Sequence, residues 1–310
     1  MRWTLGLDWG TTRLRALLMD GNGQVREERI RDWGIRQLPA GGFDAALAEV
    51  CAGWPVARVI ACGMVGSRQG WREAPYVDAP VAVGDLTAAL TPWQTADGQH
   101  LDIVPGVRDA SGPDVMRGEE TQVFGALAAH PALAAAACLV LPGTHSKWVQ
   151  VRDARIVRLA TMMTGELYGL LCRHSILGAV TDAAAAATED ARDAAFAAGV
   201  RAARDSGAAG VLTQLFSARV LMLEARLAPA VVPDYLSGLL IGEEWRAALA
   251  AGWHNSETPV ALVGDATLCT RYRKAAAMFD LPEPMAVSDA TARGLWQIGL
   301  AIAAARLEVS

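Results

Sequence analysis

The sequence predicts an α/β protein made of two similar domains, and three observations carry that prediction. Residues 4–8 and 137–141 are short apolar strands, each followed by a Gly-Thr turn and further strands, about 135 residues apart. Helical spacing of apolar residues follows each of these meanders. The chain has 310 residues, 52% of them hydrophobic, enough for two ordinary domains with cores of their own.

In chain order, residues 4–8 form a strand, Trp9-Gly10-Thr11-Thr12 turns it, and residues 13–19 return. Asp20-Gly21-Asn22-Gly23 then turns the chain into 24–30, completing a meander. Residues 43–54 have helical spacing, and 57–62 form a strand ending at Gly63. Residues 114–127 open polar and turn apolar, as an amphipathic helix does. The pattern recurs with a strand at 137–141, the turn Pro142-Gly143-Thr144-His145-Ser146, and strands at 147–151 and 156–161. Residues 183–205 are Ala-rich and helical. A strand at 260–263 precedes Gly264-Asp265 and a helix over 267–279, and Ser288-Asp289 caps a last helix. The domains are placed at 1–130 and 131–285, with the last helix, 286–310, free to return to the first. No short-period repeat occurs, which argues against a solenoid.

A net charge of -5 without a basic stripe argues against a nucleic-acid partner, while a few local cations suffice for a small anionic ligand. Cysteines at 51, 62, 138, 172 and 269 lack CxxC spacing, so they read as buried free thiols of a reducing cytoplasm rather than zinc ligands. The N-terminus carries Asp8 and no long apolar run, unlike a signal peptide. Residues 123–146 lack Asp, Glu, Lys and Arg, but His130, Pro131 and Pro142 interrupt them, so they read as a helix end and a buried strand rather than a membrane span. The expectation is a soluble cytoplasmic protein, with a homodimer left open. No GxxxxGK(S/T), GxGxxG, HExxH or GxSxG motif occurs, which lowers the weight of Walker-type, Rossmann, zinc-protease and α/β-hydrolase chemistry.

Six motifs could carry chemistry. In Asp8-Trp9-Gly10-Thr11-Thr12, glycine lets backbone N–H groups approach a phosphate, the threonines add hydroxyl donors, and Asp8 can hold hydrated Mg2+; an ordinary hairpin turn has the same composition. Gly143-Thr144-His145-Ser146-Lys147 offers the same backbone chemistry plus a cation, and two such turns would clamp a triphosphate. Taken singly, His145 and Lys147 read as a structural and a surface residue. Val263-Gly264-Asp265, before a helix, can admit an adenine or ribose, as can turns in many α/β proteins. Asp114, Glu119 and Glu120 can orient an acceptor hydroxyl and take its proton, or simply complement a helix dipole. The segment from Gly63 to Trp71 looks like a binding loop: Arg68, beside Gln69, can grip a carboxylate bidentately, unless the loop only packs its Trp. Glu166, in Thr164-Gly165-Glu166, could bond substrate hydroxyls or cap the next helix.

Together DWGTT, GMVGSRQGW, DVMRGEETQ, PGTHSKWV, MTGELY and YLSGLLIGEE, spread over nearly the whole chain, resemble the 2-dehydro-3-deoxygalactonokinases of the sugar kinase and actin superfamily. DWGTT is common to the superfamily; PGTHSKW and RGEETQ in order are far more specific. The resemblance implies two ribonuclease-H-like (actin-like ATPase) domains closing a cleft on ATP and Mg2+. It implies phosphorylation of a small sugar acid, 2-dehydro-3-deoxy-D-galactonate, at its 6-hydroxyl in galactonate catabolism. In that reading Asp8 orients the metal, and Gly10, Thr11, Thr12, Gly143 and Thr144 contact phosphates. Gly264 and Asp265 lie near the nucleoside. Arg68, Gln69, His145, Lys147 and Glu166 hold the sugar acid. The resemblance leaves the base open among Asp114, Glu119 and Glu120; Glu119 is the first choice, ahead of Asp114. One position departs from the superfamily: Pro142 stands where the second phosphate motif often begins with an acid, so a second carboxylate ligand from that turn is not expected. The alternatives are an exopolyphosphatase-like phosphohydrolase, a kinase of another sugar acid such as 2-dehydro-3-deoxygluconate, and a sugar-sensing regulator.

Overall fold

The computed structural model describes residues 3–55, 58–178, 187–254 and 257–308. The chain divides into two compact units, one of residues 1–137, 149–160 and 287–310, the other of residues 138–148 and 161–286. The sequence pattern places the divisions near 130 and 285; the units divide at 137 and 286, and residues 149–160 join the first.

The first unit opens with strands β1 (Thr4–Trp9), β2 (Leu14–Met19) and β3 (Val25–Arg31), helix α1 (Gly42–Val50) and strand β4 (Arg58–Cys62). Residue 57, expected to start that strand, lies outside the described residues. After these come β5 (Tyr76–Asp78), α2 (Val83–Ala88), β6 (Thr91–Gln94), β7 (His100–Ile103), β8 (Gly106–Asp109), β9 (Asp114–Met116) and α3 (Glu119–Ala129). The main sheet runs β3-β2-β1-β4-β7-β6, with β1 antiparallel to β2 and parallel to β4. β1 is apolar along almost its whole length because it lies mid-sheet and is covered on both faces. The edge strand β3, VREERIR, is mostly exposed and heavily charged, and the other edge, β6, carries Pro92; both features discourage further pairing.

A separate three-stranded sheet has the order β5-β8-β9. Residues 114–127 were expected to be one helix. Instead Asp114–Met116 pairs antiparallel with β8, and the helix starts only at Glu119, after Gly118 turns the chain at φ 107°. The physical reason is the Asp109–Asp114 hairpin: the Asp109 carboxylate accepts the Ser111 and Gly112 N–H groups and commits the segment to a turn and strand.

The remaining elements are β10 (Ala136–Leu141), β11 (Ser146–Arg152), β12 (Arg155–Met162), α4 (Thr164–His174), α5 (Glu189–Arg204), α6 (Val211–Gln214), α7 (Ser217–Leu223), α8 (Val232–Ala250), β13 (Val260–Val263), α9 (Ala266–Ala277), β14 (Met285–Val287) and α10 (Ala290–Glu308). The second sheet runs β12-β11-β10-β13-β14. The outer part of the β11–β12 hairpin joins the first unit through a Val81–Ile156 bridge, and through the Asp109 carboxylate accepting the Leu159 N–H at 3.2 Å. α10 packs on α3 and β1 of the first unit, burying Leu295 and Ile298. Of the Ala-rich stretch, 183–186 lie outside the described residues, and α5 begins after its N-cap Thr188. α8 is buried on nearly all sides, covered by α4, α5 and α9. That explains why its sequence is apolar nearly all round.

Candidate active site

In the first unit the turn after β1 is fixed before any ligand arrives. The Gly10 N–H donates to Arg13 O at 2.9 Å, the Ile35 N–H to Gly10 O at 3.1 Å, and the Trp9 indole N–H to Trp33 O at 2.7 Å. Gly10 and Thr11 stay half-buried and Thr12 exposed. Asp8, next to last in β1, is half-buried, opposite Arg15 on β2 and Cys62 on β4. Burial raises its pKa from the ordinary aspartate value; Arg15 opposes this, and the nearby Glu119 charge adds to it.

Glu119 reaches this place because three backbone segments approach closely. Gly63, at φ 91°, ends β4; a Cβ there would come 2.9 Å from Trp9 O, and one on Gly118 would come 3.1 Å from Gly63 Cα. Only glycines permit both the contacts and the left-handed backbone. Glu119 then sits at the first position of α3, where the helix dipole favours negative charge, its carboxylate accepting the Arg117 N–H at 3.0 Å. Glu120, fully buried, accepts the Gly118 N–H at 2.7 Å, and burial followed by the Glu119 charge pushes its pKa up to about 8.

The segment from Gly63 to Trp71 is a tight loop. Trp71 packs edge-on to Trp9 and stacks on Phe43, and the Gly70 N–H donates to Ser67 O at 2.9 Å. This holds Arg68 and Gln69 exposed at the tip. Asp114 is not brought to Asp8 and Glu119: it closes the hairpin opposite Asp109 and accepts the Val115 N–H at 2.8 Å. Arg117, which the sequence pattern did not single out, is buried over the Tyr76 ring and donates to Ala74 O at 2.8 Å.

In the second unit a cavity of about 290 Å³ opens beside the β10–β11 turn. Gly143 of that turn and Thr164, Gly165 and Tyr168 of α4 line one side; Ser237, Leu240 and Ile241 of α8, and Asp265, Thr267, Leu268, Arg271 and Tyr272 of α9, line the rest. Apolar walls with a few convergent polar groups are the usual make-up of a small-molecule site. Thr144 and His145 are exposed beside it, and His145 Nε2 pairs with Glu166 at 2.5 Å. The Glu166 N–H donates to Thr144 O at 3.0 Å, tying α4 to the turn. Gly264 is exposed, and Asp265 caps α9 by accepting the Leu268 N–H at 3.0 Å. Lys147 does not present its charge at the surface: it is buried in β11 and donates to Thr161 Oγ1 at 2.6 Å. Tyr168, Arg271, Tyr272 and the buried Glu244 were not singled out from the sequence. The one available signal was an acidic pair, Glu243-Glu244, at the end of an otherwise apolar run.

The sequence profile of the 2-keto-3-deoxy-galactonokinase family matches residues 8–298. The chain belongs to this family. Among curated relatives, "Probable 2-dehydro-3-deoxygalactonokinase DgoK1" of Rhizobium meliloti (strain 1021) is 41% identical over 276 residues, 87% of each chain. The 2-dehydro-3-deoxygalactonokinase of Escherichia coli (strain K12) is 37% identical over 275 residues, 87% of this chain and 88% of that one. A Sinorhizobium meliloti protein solved as a 2-dehydro-3-deoxygalactonokinase candidate superposes with a TM-score of 0.86 at 37% identity, covering 96% of this chain and 99% of that one. A ligand-bound xylulose kinase from Lactobacillus acidophilus shares the fold at a TM-score of 0.55 and 12% identity, covering 99% and 90%. Membership makes this chain a carbohydrate kinase with the two-domain actin-like fold and ATP as phosphate donor. Among the described residues no helix is long and apolar enough to cross a membrane.

Proposed function

We propose that the protein transfers the γ-phosphoryl group of ATP to the 6-hydroxyl of 2-dehydro-3-deoxy-D-galactonate. The observation that carries the proposal is the family match over residues 8–298, which takes in every residue given a role here. Gly10, Thr11, Thr12, Gly143 and Thr144 bind phosphate oxygens through backbone N–H and hydroxyl groups. The second-unit cavity takes the nucleoside, with Gly264 and Asp265 at its rim. Arg68 and Gln69 hold the sugar-acid carboxylate, and the His145–Glu166 pair its hydroxyls. Glu119 orients the acceptor hydroxyl and accepts its proton as the oxygen bonds to phosphorus and the bond to ADP breaks.

The donor chemistry also fits Mg2+. Asp8 offers hard carboxylate oxygen, and burial beside Glu119 makes its bare charge unfavourable, which a divalent cation would relieve. Among the described residues no three such side chains form a cage, so Asp8 would be one ligand among waters and phosphate oxygens. When bound, the ion would supply neutralising charge to the phosphates. Positioning and charge stabilisation by the chain's own groups supply the rest.

The test is ADP release by purified protein with Mg·ATP against both 2-dehydro-3-deoxy epimers, galactonate, gluconate, neutral sugars and a no-acceptor control. ADP formed only with the galactonate-derived keto acid is expected. Equal release without any acceptor refutes the proposal in favour of a phosphohydrolase.

A further inference from the structure

Three side chains from three separate elements converge on one buried carboxylate that the proposed reaction does not use. Glu244 of α8 is 2% exposed. It accepts the Trp148 indole N–H at 2.7 Å, the Tyr272 hydroxyl at 2.7 Å and the Thr164 hydroxyl. The Ser146 and Tyr272 hydroxyls lie 2.9 Å apart, and the Gly143 N–H points to Ser146 Oγ at 3.4 Å. With the Glu166 N–H on Thr144 O, these bonds close a circuit. It runs from the Gly143–Thr144 turn through Ser146, Tyr272, Glu244 and Thr164 and back to the turn.

A buried carboxylate costs more than an apolar side chain of its size unless its oxygens are fully bonded. Here both oxygens are occupied, and every donor stands on an element that frames the cavity or its phosphate turn. We infer that Glu244 is a positioning residue for the nucleotide, locking the Gly143–Thr144 turn, the start of α4 and Tyr272 of α9 into one arrangement. The inference rests on reading the second-unit cavity as the nucleotide pocket.

Tyr272→Phe deletes one link of the circuit while keeping the ring. Glu244→Gln turns an amide N–H₂ onto donors that need an acceptor. Ser217→Ala removes a hydrogen bond to Tyr235, 2.6 Å long, elsewhere in the same unit, and serves as a stability control. The measurements are direct titration with ADP, and the KM values for ATP and for the sugar acid. Loss of one or two hydrogen bonds' worth of order predicts ADP affinity and ATP KM worsened by about three- to tenfold in both site variants. The sugar-acid KM should hold within about twofold, and the control should change neither. Unchanged ADP affinity in Tyr272→Phe, or equal shifts in both KM values, overturns the inference. If Glu244→Gln fails to fold, Tyr272→Phe still decides. Wild-type protein that binds ADP but phosphorylates no sugar acid refutes the proposed function, while the ADP titration still decides the role of Glu244. Wild-type protein that binds no ADP overturns both.

Discussion

Replacing Gly165 by Ala tests whether the phosphate turn and the start of α4 work as one unit. A Cβ at 165 would come 2.8 Å from Thr144 Cα and closer still to the Gly143 carbonyl oxygen. To reach the 3.4 Å of an ordinary contact, the Thr144 backbone must retreat by about 0.6 Å, and the Gly143 carbonyl by more. Both neighbours are backbone, so no side-chain rotation can absorb the clash. Helix propensity acts the other way: Ala gains at most about 1 kcal/mol over Gly, less in a first turn. A displacement approaching 1 Å at a reacting group costs about a hundredfold in rate, or about 2.7 kcal/mol, so the clash wins. Gly165→Ala should therefore lower the melting temperature by about a few degrees, while kcat/KM for ATP falls by about a hundredfold. Thermal unfolding and steady-state ADP release measure the two together. Wild-type kcat/KM in a folded variant would refute the claim that the two backbones are held in contact.

Three further outcomes follow from the first unit. Asp8→Asn should lower kcat by about a hundredfold or more, yet leave the melting temperature unchanged or higher, because a desolvated carboxylate beside Glu119 disappears; full turnover would end the proposed metal role. Glu119→Gln should lower kcat by about 10²- to 10⁴-fold while Asp114→Asn stays near wild type, since Asp114 closes a hairpin; the opposite ranking would reassign the base. Glu120 gives a pH signature. Its folded pKa of about 8 exceeds the ordinary 4.5, so between these values the folded state keeps a proton that the unfolded chain releases. Its stabilising contribution is full below pH 4.5 and is lost as pH rises toward 8, on the order of a few kcal/mol. Glu120→Gln cannot titrate, so urea unfolding at pH 5 and pH 8 should show a smaller decline for the variant; equal declines would refute the buried-acid assignment.

Much of this was legible in the sequence where the determinants are local. Alternation and turn chemistry marked β1, its Asp8 turn and the β10–β11 turn, because a strand running into a Gly-Thr turn is set by residues within a few positions of one another. The same logic failed for the β5-β8-β9 sheet, whose strands of three or four residues are too short to display a period, and so Asp114 was read into a helix. Lys147 could be read as a cation, but only the packing of β11 decided that its ammonium meets Thr161.

The sequence by itself determined the family, the two-unit α/β class and the two Gly-Thr turns, since each is written in contiguous residues. Tertiary structure alone decided which acids lie together. Glu119 is separated from Asp8 by more than a hundred residues, and meets it only because Gly63 and Gly118 let their backbones touch. Glu244 gathers donors that lie 96, 80 and 28 residues away. Local patterns fix φ, ψ and the buried face of each element, but a carboxylate's environment depends on where distant chain segments converge, and that is a property of the folded packing.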